Sequence, residues 1–210
     1  YPFENRDWFE HHFPADFIVE YVAQTRGWFY TLMVLGTALF DRPPFETCIC
    51  HGVILDTEGR KLSKRLRNYP EPDWVFDHHG SDAMRWYLVS SPVLRGGDLR
   101  VDKEGKPIAD VVRNVLNPIW NAWYFFSLYA NTDDVHARPV REASNLLDRY
   151  ALAKTRELVE ETTRRMDAYD ISGACAGLLA YLDALNNWYI RRSRERFWRG
   201  GRDADKRAAY

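Results

Sequence analysis

FIVEYVAQTRGWFYTLMVLGTALFDRPPFETCICHGVIL, residues 17 to 55 of the 210-residue chain, decides the fold class. FIVEYV (17–22) is β-branched and aromatic, the composition of a strand. TRGWFYTLMVLGTALF (25–40) reads as a helix of about four turns, stopped by Asp41-Arg42-Pro43-Pro44. TCICHGVIL (47–55) is a continuous apolar run bounded by turn signals, which predicts a strand buried on both faces. Strand, helix, strand in that order is a parallel crossover unit, because parallel strands need a long connection to re-enter the sheet. The strongly apolar run Trp28–Phe40 is too short for a hydrocarbon core that needs about 20 residues, so it is expected as a buried helix and no membrane partner is expected.

The second strand leads through the tight Asp56-Thr57-Glu58-Gly59 turn into GRKLSKRLRNYPEP (59–72), where five cations lie in the eight positions from Arg60 to Arg67. Charge runs usually just face water, and a solvated turn is the bland reading. Position favours a phosphate grip, since ligands of parallel sheets bind beyond the carboxyl ends of the strands. Two lysines flanking a serine supply two point charges and a hydroxyl donor. No G-x-x-x-x-G-K-[ST] string accompanies them, which excludes an ordinary Walker A loop.

A formal charge of -1 excludes a uniformly basic nucleic-acid binder, yet charge is unevenly spread. Residues 1 to 60 hold nine acids against four Lys/Arg, and residues 188 to 210 hold eight Lys/Arg against three acids, so the two ends are expected to face different partners. Cys48, Cys50 and Cys175 make neither a C-x-x-C pair nor an even framework. No zinc site or other metal ligand set is expected from them, and a reducing cytoplasm is the expected compartment. No charged segment followed by an apolar one opens the chain, as a leader would require. It begins at Tyr1 inside an aromatic-rich stretch, so it is expected to be a piece of a longer chain.

Beyond Pro70 the pattern becomes helical. Ser81 is an expected N-cap for DAMRWYLVSS, which Pro92 ends, and the turn-rich stretch 91–107 marks a boundary. We divide the chain into 1–104 and 105–210. The second part carries three long helical periods, Ile108 to Ala130, Asn145 to Tyr169 and Ile171 to Trp198, with 131–144 as linker. Leu147, Tyr150, Ala151, Lys154 and Leu158 share one face and RELVEETTRR supplies a charged opposite one, the signature of a helix bundle. In NWYIRRSRERFWR (187–199), Arg192, Arg196 and Arg199 recur at i, i+4 and i+7, and are expected to present three guanidinium groups to an RNA backbone. The bland alternative is an arginine face salt-bridged to neighbouring helices.

Lys61-Leu62-Ser63-Lys64-Arg65 resembles the second signature loop of the class I aminoacyl-tRNA synthetases, usually written Lys-Met-Ser-Lys-Ser. The resemblance implies that Lys64 neutralises ATP phosphates as charge builds on them, with Lys61 and Ser63 in support. Leu62 and Arg65 depart from the usual Met and Ser. "QTRGWFYTL" within Glu20–Leu32 is similar to the isoleucyl-tRNA synthetase catalytic domain in particular, and a string of that length is specific. By that resemblance Glu20 and Gln24 accept hydrogen bonds from ribose hydroxyls and an α-ammonium group, and Trp28 walls a branched aliphatic side chain. On the residues alone, Gln24 caps the helix and Trp28 is core. The family commonly carries Gly and Asp where this chain has Tyr21 and Ala23. Loss of that sugar acceptor costs about 0.5 to 1.5 kcal/mol unless Tyr21 or nearby backbone substitutes. His51-Gly52 matches the strand that approaches adenine, with Gly permitting close contact, although a buried His with a backbone partner explains it equally. Gly80–Leu88 is similar to the family's connection between catalytic and helical domains, with Asp82 and Arg85 as braces, and the arginine-rich string resembles the anticodon-binding domain.

The resemblance implies an α/β fold, a partial Rossmann-type parallel sheet, followed by an all-α helix bundle. The implied activity is an ATP-dependent isoleucine–tRNA ligase, monomeric and cytoplasmic, with isoleucine, tRNA(Ile) and ATP with Mg2+ as partners. The alternatives are a valyl-tRNA synthetase-like relative, a non-catalytic tRNA-binding module and a plain α/β scaffold. The family's His-Ile-Gly-His type signature lies nowhere in these residues. Nor is there room for the inserted editing domain that removes valine, which differs by one methylene and is admitted at about 1 in 150. The chain alone is expected to be inactive.

Overall fold

The computed structural model describes residues 4–138, 140 and 142–210, so the first residues of the aromatic opening and two positions of the 131–144 linker lie outside it. Two compact units result. One takes the residues through Pro70 with Ser91–Glu104, and the other takes Glu71–Ser90 with Gly105–Tyr210. The segment 71–90, kept with residues 1–104 on sequence grounds, packs among the helices of the second unit.

In the first unit, helix α1 (Arg6–His12) precedes strand β1 (Ala15–Tyr21), a 3-10 turn (Val22–Arg26), helix α2 (Trp28–Phe40) and strand β2 (Phe45–His51). The strands pair in parallel with Ile18 opposite Cys48, Glu20 opposite Cys50 and Tyr21 opposite His51. Ile18, Phe29 and Phe45 form the core between helix and sheet, with Leu32 and Cys50 against it. The crossover predicted from residues 17 to 55 is therefore present, with two corrections.

The first concerns the second strand, which does not run unbroken to residue 55. It stops at His51, and Ile54–Leu55 (β3) pairs instead, in parallel, with Leu99–Arg100 (β4). The switch occurs at Gly52, whose N–H donates to the Val93 carbonyl at 2.7 Å, and where an added Cβ would lie 2.0 Å from the Gly97 carbonyl oxygen. Apolar composition reports burial and is silent on which neighbour a strand chooses. A backbone packed this tightly tolerates no side chain, so Gly52→Ala is expected to cost about 1–3 kcal/mol by overpacking. Amide exchange at Leu99 and Val101, which donate to Val53 and Leu55, should accelerate accordingly.

The second concerns burial. Helix α2 buries only Phe29 and Gly36, while Trp28, Tyr30 and Leu39 are exposed, and Cys48 on β2 is exposed as well. A two-stranded sheet covers one face of one helix. Beyond the sheet, α2 meets α1 and the turn after it only at its far end, where Phe40 lies 5.1 Å from Phe9 and 4.7 Å from Phe13 between ring centroids, and much of its apolar surface stays exposed.

In the second unit, α3 (Pro72–His79) and α4 (Ser81–Ser90) lead to α5 (Lys106–Val111), α6 (Asn117–Asp133), α7 (Leu146–Asp167), α8 (Ile171–Asp183), α9 (Arg191–Trp198) and α10 (Ala204–Ala209). Ser81 is the first helical residue rather than the one before it. Val75, Ala83, Ile108, Val111, Val115 and Leu182 form the core. Asn145, Asp170 and Asp203 cap α7, α8 and α10 by accepting from the backbone N–H of Leu147, Gly173 and Lys206. The long helical periods are not uniform: Val112–Leu116 and Ala184–Ile190 widen into π turns. No helix is long and apolar enough to cross a membrane among the described residues.

Candidate functional site

The basic loop is a braced structure. Asp56 leaves β3 nearly buried, 4 % exposed. Its Oδ1 accepts from the backbone N–H of Glu58 at 3.0 Å and of Arg60 at 2.8 Å, the Asx-turn geometry that Asp favours. Its Oδ2 accepts from Arg60 Nε and from Asn68 Nδ2, both at 2.8 Å. The Asn68 amide first, with burial opposing and Arg60 assisting, holds the Asp56 carboxyl far below the usual carboxylate range. Asn68 Oδ1 accepts from the Ser63 N–H at 3.0 Å, and Asn68 Nδ2 also donates to the Lys61 carbonyl at 3.2 Å. Within the loop, Arg67 N–H donates to the Ser63 carbonyl, Leu66 N–H donates to Ser63 Oγ, and Arg67 takes a left-handed conformation at φ 48°.

This bracing sorts the five cations. Arg60 is consumed by Asp56 and Glu58. Lys61 has its backbone bridged to Leu55. Lys64, Arg65 and Arg67 stand exposed and, like the side chain of Lys61, have no carboxylate partner among the described residues. A lysine with nothing to neutralise it locally is poised to meet an anion.

Lys61 lines a hollow of about 240 Å³ with Tyr21, His51, Gly52, Val53, Ile54 and Leu62. His51 Nδ1 lies 2.9 Å from the Gly52 carbonyl, as a donor to it, and Nε2 lies 3.6 Å from Glu20 Oε2. Glu20 also accepts from the Tyr21 N–H at 2.8 Å. The structure thus brings His51, Gly52 and Lys61 to one hollow, with Glu20 touching it through His51. Lys64, Gln24 and Trp28 are not among its lining. Gln24 accepts from the Trp28 N–H at 3.0 Å, so it caps α2 as its bare chemistry suggests, and Trp28 is half exposed rather than core. Gly52 spends its missing side chain against Gly97, which explains the glycine without a ligand. Among the described residues no group of three or more His, Cys, Asp or Glu could hold a metal ion.

The arginine helix requires a correction. The stripe that α9 turns inward is Ser193, Arg196 and Phe197, at i, i+3 and i+4. Phe197 packs against Phe125 and Tyr210, with ring centroids 5.1 and 5.0 Å apart. Arg196 goes inward with it. Its Nη1 and Nη2 donate to Asp148 at 2.6 and 2.8 Å, its Nε to Asp205 at 3.2 Å, and its Nη2 also to the Asp205 carbonyl at 2.9 Å. Arg199 donates to Asp203 and Asp205. The three guanidinium groups therefore do not share a presenting face. Arg192 alone of them is exposed without a carboxylate partner among the described residues, its guanidinium 4.3 Å over the Trp188 ring. Arg191 and Arg194 are exposed beside it and line a groove with Tyr124, Asn187 and Trp198. Asp82 and Arg85 pair with each other at 2.8 Å on an exposed face.

Sequence reasoning missed Asp56, Asn68 and Asp148. The first two were legible only as turn residues, although an Asp opening a tight turn and an Asn closing it is the composition of a side-chain-bonded loop. Asp148 carries no local signal, since its partners lie 41 and 48 residues away.

A family profile described as tRNA synthetases class I (I, L, M and V) matches residues 1–102, and one described as the anticodon-binding domain of tRNA ligase matches residues 148–210. The isoleucine–tRNA ligase of Rickettsia canadensis is 57% identical over all 210 residues, which cover 20% of that protein. The isoleucine–tRNA ligase of a Wolbachia of Brugia malayi is 54% identical over the same length, covering 18% of its own. The chain therefore spans about a fifth of the length of the curated relatives it matches. In fold it is similar to the LeuRS of Agrobacterium radiobacter K84, solved as a ternary complex with tRNA and LeuAMS. That likeness has a TM-score of 0.67 at 18% identity, covering 93% of this chain and 24% of that one. A parallel crossover unit ending in a lysine-serine-lysine loop, followed by a helix bundle, agrees with these matches, and the chain is a fragment of class I aminoacyl-tRNA synthetase type that matches isoleucine–tRNA ligases over its whole length.

Proposed function

We propose that this chain supplies the nucleotide-activating loop and the start of the tRNA-holding helices of an isoleucine–tRNA ligase. The isoleucine carboxylate attacks the α-phosphorus of ATP, pyrophosphate leaves, and the tRNA 3′ hydroxyl then takes the isoleucyl group from the adenylate. ATP enters with its Mg2+. Negative charge gathers on the departing oxygens, and a fixed cation there lowers the barrier by differential stabilisation. The observation that carries this reading is the braced loop, which spends Arg60 on Asp56 and leaves Lys64 exposed and unpaired among the described residues. Lys61 and Ser63 support it. His51 and Gly52 receive the adenine side of ATP, while Glu20, Gln24 and Trp28 receive the aminoacyl end. Tyr21, which lines that hollow, stands in for the missing acidic side chain at position 23. For tRNA we retain Arg192, with Arg191 and Arg194 beside it, and assign Arg196 and Arg199 to holding their helix. The three cysteines are free thiols, which suits a reducing cytoplasm.

The test is to graft the 210 residues in place of the matching fifth of the Rickettsia canadensis enzyme. The folded chimera is expected to catalyse isoleucine-dependent ATP–pyrophosphate exchange and to charge tRNA(Ile). Retained tRNA affinity without exchange would replace this reading by the non-catalytic tRNA-binding module. Exchange with valine in preference would replace it by the valyl relative.

A further inference from the structure

We infer that Asp56 and Asn68 are positioning residues for the lysine loop: their side chains form a latch that closes its base and fixes the backbone from which Lys64 projects. This rests on the role proposed for Lys64. The latch joins two nested turns. The first, residues 56–60, is closed by Asp56 N–H donating to the Arg60 carbonyl and by both Asp56 oxygens. The second, 63–67, is closed by Arg67 N–H on the Ser63 carbonyl. Neither turn alone fixes its orientation to the other. One carboxamide does, because Asn68 reaches Asp56, Lys61 and Ser63 at once and uses three of its four hydrogen-bonding positions. Ser63 is bonded through N–H, carbonyl and hydroxyl, so the residue next to Lys64 has little backbone freedom left.

The partition of charge supports the same conclusion. A buried carboxylate beside a phosphate-gripping loop would repel its ligand. Here it is offset by Arg60, so the latch presents no net charge while Lys64 and Arg65 keep theirs. With the latch open, Lys64 would still be present but would sample many positions, and a misplacement of about 1 Å can cost 100-fold in rate.

The test uses the full-length chimera carrying Asn68→Ala or Asp56→Asn. The second keeps the shape of the side chain and the acceptor for the first turn, but sets an amide donor against Asn68. Two readouts are expected. Trypsin should cleave after Lys61, Lys64 or Arg65 at least about tenfold faster than in the parent chimera, with cleavage elsewhere unchanged. The kcat of exchange should fall about 10- to 100-fold at unaltered isoleucine KM, and should fall little further when the variant is added to Lys64→Ala, as expected of residues that act through one another. Unchanged loop cleavage in both variants overturns the latch. So does a loss of exchange that is as large in the Lys64→Ala background as without it. If Lys64→Ala itself leaves exchange intact, it is the functional reading that fails, and the cleavage readout still decides whether the latch exists.

Discussion

Lys64→Ala in the chimera is expected to lower the kcat for isoleucine-dependent exchange about 100- to 1,000-fold, a loss of about 2.7–4 kcal/mol of transition-state stabilisation. The magnitude follows from what Lys64 has around it. A lysine already paired with a carboxylate brings little net field to an incoming phosphate, whereas Lys64 is exposed and unpaired among the described residues. Arg60, four positions earlier, is the counterexample. Its guanidinium is committed to Asp56 and Glu58, so Arg60→Ala should act through the loop's shape and not through charge at the phosphates. Lys64→Arg keeps the charge but replaces a compact ammonium with a planar fork, and should restore only part of the rate. Affinity for tRNA should not move with any of these. Exchange that survives Lys64→Ala would remove this loop from the chemistry.

How far the sequence could carry the reading depends on which interactions are local. The crossover unit was legible because strand and helix differ in period and composition within residues 17 to 51. The long helices of the bundle were legible for the same reason, down to the half-buried stripe of Leu147, Tyr150, Ala151, Lys154 and Leu158 on α7, whereas the short α3 and α10 were not. The break at Gly52 was not, because its cause is the backbone of Gly97, 45 residues on in sequence. The loop's cations were visible as a string, but a string cannot tell a spent cation from a free one. Arg60 and Lys64 look alike until Asp56 is seen to turn back on the first. The arginine helix shows the same limit. Counting i, i+4, i+7 from Arg192 chose one of several faces, and the choice belonged to Phe197, whose aromatic partners come from residues 125 and 210. In the other direction, the cap by Gln24 was the plain expectation from its chemistry.

Arg196→Ala is expected to destabilise the packing of α7, α9 and α10 by about 3–5 kcal/mol, the range for leaving one partner of a buried ion pair uncompensated. The two side chains are 10% and 6% exposed, and Arg196 bonds Asp148 through both terminal nitrogens, so water can replace little of what is lost. Asp148 would be left with Tyr189 as its hydrogen-bond donor, whose hydroxyl lies 3.1 Å away. Burial, followed by Asp148, already pushes that phenol well above its usual pKa, so it stays a neutral donor and brings no positive charge. Amide exchange in α9 of the full-length chimera should therefore speed up by about two to three and a half orders of magnitude. Asp148→Leu combined with Arg196→Met should recover much of the loss, since removing both charges also removes their desolvation cost. Arg192→Glu provides the contrast. It reverses charge on an exposed side chain that only overlies Trp188, so it should leave exchange in α9 almost unchanged, weaken tRNA binding and flatten its dependence on salt. A charge reversal at 192 that destabilised the helix, or an alanine at 196 that weakened tRNA binding with full protection of α9, would exchange the roles given to these two arginines.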